Sequence, residues 1–157
     1  MKNPYEIKFT LHSFVVRDPS KPEGETYHNG VPLRSAEDTY HHACAAVYNG
    51  LDADKEHFVL FALNNKNRIV GFKVISTGSL TASLVHPREV YRAAIFLDAA
   101  AVIFCHNHPS GDPAPSPEDI EITRRLKECG ELFGIKILDH VILGEERFFS
   151  FSERGLL

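Results

Sequence analysis

A short apolar segment that ends in two closely spaced histidines constrains this fold more than any other feature of the chain. Residues 101–105 are apolar throughout, and His106 and His108 lie at its end. In extended backbone, residues two positions apart point to the same face, so the two imidazoles converge on one point. A polar pair at the mouth of a buried strand costs free energy unless it meets a partner. A metal ion is one candidate for that partner.

The segment that follows the histidines predicts a rigid loop leading into a helix. Residues 109–115 contain three prolines and one glycine, which excludes regular secondary structure there. Ser116 and Asp119 then have the spacing of a helix N-cap residue and its N3 partner. Such a return brings Asp119 close to the two histidines, and two histidines with one carboxylate form a common catalytic zinc shell. Helix capping alone also accounts for the pairing of Ser116 with Asp119.

The order of the predicted elements indicates a single layered α/β domain with a mixed sheet and flanking helices. Helices are predicted over 35–50, from Pro87 onward, and over 116–133. Strands are predicted over 57–63, 68–76, 101–105, 135–143 and 147–152. In the first helix, Ser35 and Asp38 have the spacing of a capping box. His41 and His42 are expected on the solvated face of that helix, and Cys105 is expected in the core, facing away from the two histidines.

The first 34 residues are predicted to form a strand and a loop arm ahead of a domain over residues 35–157. Apolar and polar residues alternate over 5–12, which is the period of a half-buried strand. Residues 18–32 combine proline and glycine with charges, a composition typical of a loop.

Composition narrows the class of protein further. The chain has 157 residues and a net charge of −4, whereas proteins that grip a phosphate backbone usually carry a basic excess. Nucleic acid is therefore not the partner that the charge favours. The longest apolar stretch, residues 93–105, is shorter than the roughly 20 residues that a membrane span needs. Three scattered cysteines without a CxxC pair and an N-terminus without an apolar signal core predict a cytoplasmic protein with reduced thiols.

The spacing of the histidines, serine and aspartate resembles a known metalloprotease motif. His-x-His, seven residues, then Ser-x-x-Asp is the pattern of the JAMM motif of the MPN/JAB superfamily, and HNHPSGDPAPSPED is similar to its RadC-type branch. The resemblance covers roughly residues 35–157 and includes KNRIV, Gly78, the HPREV segment at 86–90, LDH at 138–140 and the terminal SFSERGLL. It implies an MPN/JAB-like mixed sheet, which is similar to the deaminase-like fold.

The resemblance also implies a zinc site and a set of catalytic residues. His106, His108 and Asp119 would bind zinc, with water at the fourth position, and Ser116 would stabilise the oxyanion. The motif needs in addition a glutamate at the start of a central strand, which would take a proton from the water and pass it to the leaving nitrogen.

Two glutamates compete for the role of this general base. Glu56 directly precedes the predicted strand over 57–63 and fits by position. As an alternative, Glu56 is an ordinary exposed acid in the charged run over 52–56. Glu89, in the helix that begins at Pro87, is the rival candidate.

Asp139 and His140 add a polar pair to the predicted strand after the long helix. They are candidates for orienting one of the ligand histidines, since metal-bound histidines usually donate their second ring N–H to a partner. A locally satisfied polar pair is the alternative.

Three functions follow from these residues. The first is a zinc-dependent hydrolase of amide bonds, with a peptide or an isopeptide-linked protein as substrate. The second is a DNA-repair-associated binding module that keeps zinc for structure, which only the family's traditional label supports. The third is a degenerate scaffold, which the complete motif disfavours. HExxH zinc proteases are excluded because the chain lacks that motif, and zinc deaminases because it lacks their paired cysteines. HNH nucleases are excluded because their named residues are dispersed through the fold and not adjacent in the chain.

Overall fold

A computed structural model describes residues 32–46, 48–78 and 85–157. Within these ranges the helices are α1 (Ala36–Ala46), α2 (Pro87–Phe96) and α3 (Pro117–Phe133), and the strands are β1 (Glu56–Leu63), β2 (Ile69–Gly78), β3 (Ala101–Asn107), β4 (Lys136–Leu143) and β5 (Phe148–Ser150). The predicted α/β fold with a mixed sheet is confirmed. The predicted strand and arm of residues 1–31 lie outside the described residues, and the boundary at residue 35 stays a prediction.

The five strands form one sheet in the order β2-β1-β3-β4-β5. β3 and β4 are parallel, and the remaining neighbours are antiparallel. α3 joins the two parallel strands, because a parallel pair needs a crossover that a tight turn cannot provide. β3 is the central strand, so the C-terminal end of β3 lies between the beginning of β1 and the end of β4. The two histidines are therefore flanked by both neighbouring strands.

The sheet has an apolar core on each face. α1 covers one face, where Ala43, Phe61 and Ile103 are buried. α2 and α3 cover the other face, where Phe104 and Leu126 are buried. Side chains of a strand alternate between faces, so His106 shares the α3 face with Phe104. Cys105 is fully buried in the opposite core, as the alternation predicts.

The ends of α3 match the sequence pattern closely. Ser116 is the N-cap, and both bonds of its capping box with Asp119 are present. Gly134 ends the helix in the left-handed region with φ of 68°, which a residue without a Cβ adopts freely. Among the described residues, no helix is both long and apolar enough to cross a membrane.

α1 differs from the prediction in three respects. It ends at Ala46, and a separate 3₁₀ turn covers Tyr48–Gly50. Ser35 accepts a hydrogen bond from the Asp38 amide at 3.0 Å, but the Asp38 carboxylate bonds to the amide of Arg34 instead of Ser35, so the capping box is incomplete. The placement of His42 on a solvated face was wrong, because its ring packs edge-to-face on Phe61, with centroids 6.1 Å apart. His41 is exposed, as predicted.

Candidate metal centre

Three side chains converge where β3 ends and α3 begins. The Nε2 atoms of His106 and His108 are 3.0 Å apart. Carboxylate oxygens of Asp119 lie 3.2 Å from Nε2 of His106 and 3.4 Å from Nε2 of His108. A tetrahedral ion with bonds of about 2.0–2.1 Å separates its ligand atoms by about 3.3–3.4 Å. The three residues form a group that could hold a metal ion, and their spacing fits a small divalent cation.

The electrostatics of the group favour an ionised aspartate. The side chain of His106 is 1% exposed and that of Asp119 is 13% exposed. Burial raises the pKa of Asp119, but hydrogen bonds with His106 and His108 outweigh it and hold that pKa well below its usual range. The hydrogen bond with Asp119 is also the main reason that the pKa of His108 is raised. A carboxylate that stays charged beside two imidazoles is a suitable ligand for a cation.

The cap of α3 orients the carboxylate of Asp119. The Ser116 hydroxyl donates to Oδ2 at 2.7 Å, and the Ser116 amide donates to the same oxygen at 2.8 Å. The Asp119 amide in turn donates to the Ser116 hydroxyl oxygen at 3.1 Å. The hydroxyl proton of Ser116 thus points to Asp119 and must turn away from it to reach an oxyanion. The oxyanion role of Ser116 stays a prediction.

The other ring nitrogen of each histidine has a partner of its own. Nδ1 of His108 lies 2.7 Å from the carbonyl oxygen of Asp112, in the loop after β3. Nδ1 of His106 lies 2.8 Å from Nε2 of His140 on β4, and Nδ1 of His140 lies 2.6 Å from the Thr123 hydroxyl on α3. Thr123 was not predicted from the sequence, although its place four residues after Asp119 on one helix was a usable signal.

Asp139 and His140 are adjacent in β4 but serve different parts of the protein. His140 is fully buried, which lowers the pKa of its imidazole well below the ordinary value, and it contacts the ligand histidine His106. Asp139 instead accepts hydrogen bonds from the Ser150 hydroxyl at 2.6 Å and the Ser152 amide at 2.9 Å. Burial raises the pKa of Asp139. Of the predicted pair, only His140 contacts the candidate metal ligands.

Glu56 begins β1 on the same face of the sheet as the histidines. Phe58 pairs with His106 across the antiparallel strands, and the two rings stack with centroids 6.0 Å apart. Two residues earlier on the same face, Glu56 reaches the level of His108. The negative charge of Glu56 is accordingly one of the smaller contributions that raise the pKa of His108.

Asn107, for which the sequence predicted no role, holds the two residues on either side of Glu56. Its amide nitrogen donates to the Lys55 carbonyl at 2.9 Å, and its amide oxygen accepts from the His57 backbone N–H at 2.8 Å. The side chain between the two histidines therefore fixes the start of β1 against the end of β3.

Glu89 has a different environment. Its carboxylate forms an ion pair with Arg92 at 2.6 Å and lies 3.6 Å from Arg88. With Lys73 and Phe96 it lines a cavity of about 290 Å³ whose walls contain none of the three candidate metal ligands. The geometry thus favours Glu56 over Glu89 as a neighbour of the site, and the choice of base stays a prediction.

A cavity of about 420 Å³ lies beside His108 on the α1 side of the loop after β3. Its wall includes Gly111 and Gly144, where the loop after β3 contacts the turn after β4. A Cβ on Gly144 would lie 2.5 Å from the carbonyl oxygen of Gly111, so only glycine allows this approach. This contact holds the loop whose Asp112 carbonyl bonds to His108.

Comparison with known proteins gives a consistent result. The RadC-like JAB domain family matches residues 33–156. A UPF0758 protein of Trichlorobacter lovleyi is 60% identical over 106 residues, which are 68% of this chain and 46% of the relative. A UPF0758 protein of Geobacter sulfurreducens is 53% identical over 123 residues, which are 78% of this chain and 52% of the relative. The chain spans about half the length of these curated relatives.

Proposed function

The chain belongs to the RadC-like JAB domain family, and we propose that it is a zinc-dependent hydrolase of amide bonds in peptide or isopeptide linkages. One observation carries the proposal: the Nε2 atoms of His106 and His108 and the carboxylate of Asp119 converge at the end of the central strand. Two imidazoles and one carboxylate leave a fourth position open on a tetrahedral ion, which is typical of catalytic zinc and not of closed structural sites.

Each residue of the site has a separate task in the proposed reaction. His106, His108 and Asp119 would hold the cation, which supplies Lewis acidity that polarises the amide carbonyl and acidifies a water molecule. The carboxylate of Glu56 accepts the proton of the attacking water and delivers it to the leaving nitrogen. The Ser116 hydroxyl turns from Asp119 and donates to the oxyanion that develops on the carbonyl.

The test is metal-dependent hydrolysis of a panel of peptide and isopeptide substrates by the zinc-loaded chain. Glu56→Gln keeps the shape of the side chain but cannot accept a proton, so we expect hydrolysis to fall by about 10²–10⁴ while zinc content is unchanged. Glu89→Gln is the matched control and should hydrolyse at the wild-type rate. Loss of activity in Glu89→Gln but not in Glu56→Gln would reverse the choice of base.

The DNA-associated module is the alternative outcome of the same experiment. A net charge of −4 gives it no electrostatic support. We expect DNA binding at physiological salt to be weak and without sequence preference. If the wild-type chain cleaves nothing across the panel but binds DNA tightly and selectively, the DNA-associated module replaces the hydrolase proposal.

A further inference from the structure

A chain of hydrogen bonds runs from the backbone of one candidate ligand to the ring of another. The Thr123 hydroxyl oxygen lies 2.6 Å from the Asp119 carbonyl oxygen and 2.6 Å from Nδ1 of His140. A hydroxyl has one proton, and a carbonyl can only accept. The Thr123 proton therefore goes to Asp119, and the bond to His140 must be supplied by a proton on Nδ1 of His140.

The remaining proton positions follow from the same count. A cation bound through Nε2 of His106 would leave the single proton of that neutral imidazole on Nδ1, 2.8 Å from Nε2 of His140, so Nε2 of His140 must be the acceptor. A histidine that donates from Nδ1 to Thr123 accepts on Nε2 only in its neutral form, which full burial favours. Nε2 of His106 is then the ligand nitrogen, and it is the atom that faces His108 and Asp119.

We propose that Thr123 and His140 are positioning residues that fix the tautomer of His106 for metal binding. The inference rests on the metal site of the proposed function and adds the direction of the hydrogen bonds that lead to His106. His108 obtains the same tautomer from the Asp112 carbonyl, a backbone acceptor in the loop after β3. His106 lies deeper, and its proton is fixed by two side chains from α3 and β4.

Removal of the Thr123 hydroxyl should reverse the direction of these hydrogen bonds. In Thr123→Val, which keeps the shape, Nδ1 of His140 loses its acceptor, and the His140 proton is favoured on Nε2. That proton is donated to His106 and moves the His106 proton to the ligand nitrogen. We expect zinc affinity, measured by competition with a chelator on the full chain, to fall roughly 10- to 100-fold. Thr123→Ser keeps the hydroxyl and should restore the affinity.

Thr39 provides a matched control. It is buried, and its hydroxyl donates to the carbonyl of Ser35, four residues earlier in the chain, at 3.1 Å. Thr39→Val removes the same kind of bond from α1, on the opposite face of the sheet. It should leave zinc affinity unchanged. Equal losses of affinity in Thr39→Val and Thr123→Val would overturn the inference, because they would report general destabilisation.

A second measurement needs no variant. Nitrogen-15 NMR of the imidazoles in the zinc-loaded full chain distinguishes the two tautomers of His140. We expect the proton on Nδ1, and a proton on Nε2 overturns the inference even if Thr123→Val does not fold. The two proposals fail separately: a chain that binds zinc with this tautomer but cleaves no substrate refutes the hydrolase and leaves the positioning roles intact.

Discussion

The candidate site is supported in different ways on its two sides. The helix side consists of His106 with His140 and Thr123, and the strand side is the start of β1 around Glu56. On the helix side, side chains bond to side chains in the interior, and His140 and Thr123 connect the ring of His106 to α3. On the strand side, Asn107 holds only the main chain before and after Glu56. The first arrangement fixes a proton and a ligand atom. The second fixes the main chain around Glu56 and, among the described residues, includes no hydrogen bond to its carboxylate, which suits a group that accepts a proton and then delivers it.

The largest expected effect is on metal content, and it tests whether His106, His108 and Asp119 bind the ion without Glu56. His106→Ala with His108→Ala removes both imidazoles, so near-unit zinc stoichiometry should fall to almost none by elemental analysis. Glu56→Gln, on the strand side, should keep its zinc. Unchanged zinc in the double variant would disprove the ligand assignment and the comparison with it.

Ser116 caps α3 and bonds to the candidate ligand Asp119, so it should show two separable effects. Ser116→Ala removes a helix cap, which costs about 1 kcal/mol of unfolding free energy in a denaturant titration. Loss of an oxyanion donor should also slow hydrolysis by about 10²–10³. Ser35 accepts the corresponding amide bond in α1 at 3.0 Å, so Ser35→Ala should match the stability loss and keep the rate. Equal rates in both variants would leave Ser116 with capping alone.

The smallest effect sharpens the view of the strand side. Asn107→Ala leaves the Lys55 carbonyl and the His57 amide without their partner, so the start of β1 shifts relative to β3. A displacement on the order of 1 Å at a reacting group can cost up to about 10²-fold in rate, and we expect a fall of up to that size with zinc affinity retained.

A control for Asn107 lies at the other end of β1, the strand whose beginning Asn107 holds. The Asn64 side chain accepts from the amides of Lys66 at 2.9 Å and Arg68 at 3.2 Å in the turn after β1. Asn64→Ala should therefore loosen that turn without changing the rate of hydrolysis. A loss of zinc affinity in Asn107→Ala would show that the two sides are not independent.

Features that depend on neighbouring residues in the chain could be predicted from the sequence alone. The Ser116 cap and the Gly134 end of α3 use bonds within a few residues, so their spacing was sufficient to predict them. The shared direction of His106 and His108 follows from strand alternation. A local pattern still failed at Asp38, whose carboxylate accepts from the amide of Arg34 and not from that of Ser35.

The residues that support the site from distant parts of the chain could be identified only from the order and register of the strands. His140 meets His106 across 34 residues because β4 lies parallel to β3, and the sequence could not choose between Asp139 and His140 without that register. Asn107 reaches His57 across 50 residues for the corresponding reason on the other side of β3. Spacing along a chain specifies bonds made within a turn or a cap, whereas bonds between strands exist only after the sheet order and register are set.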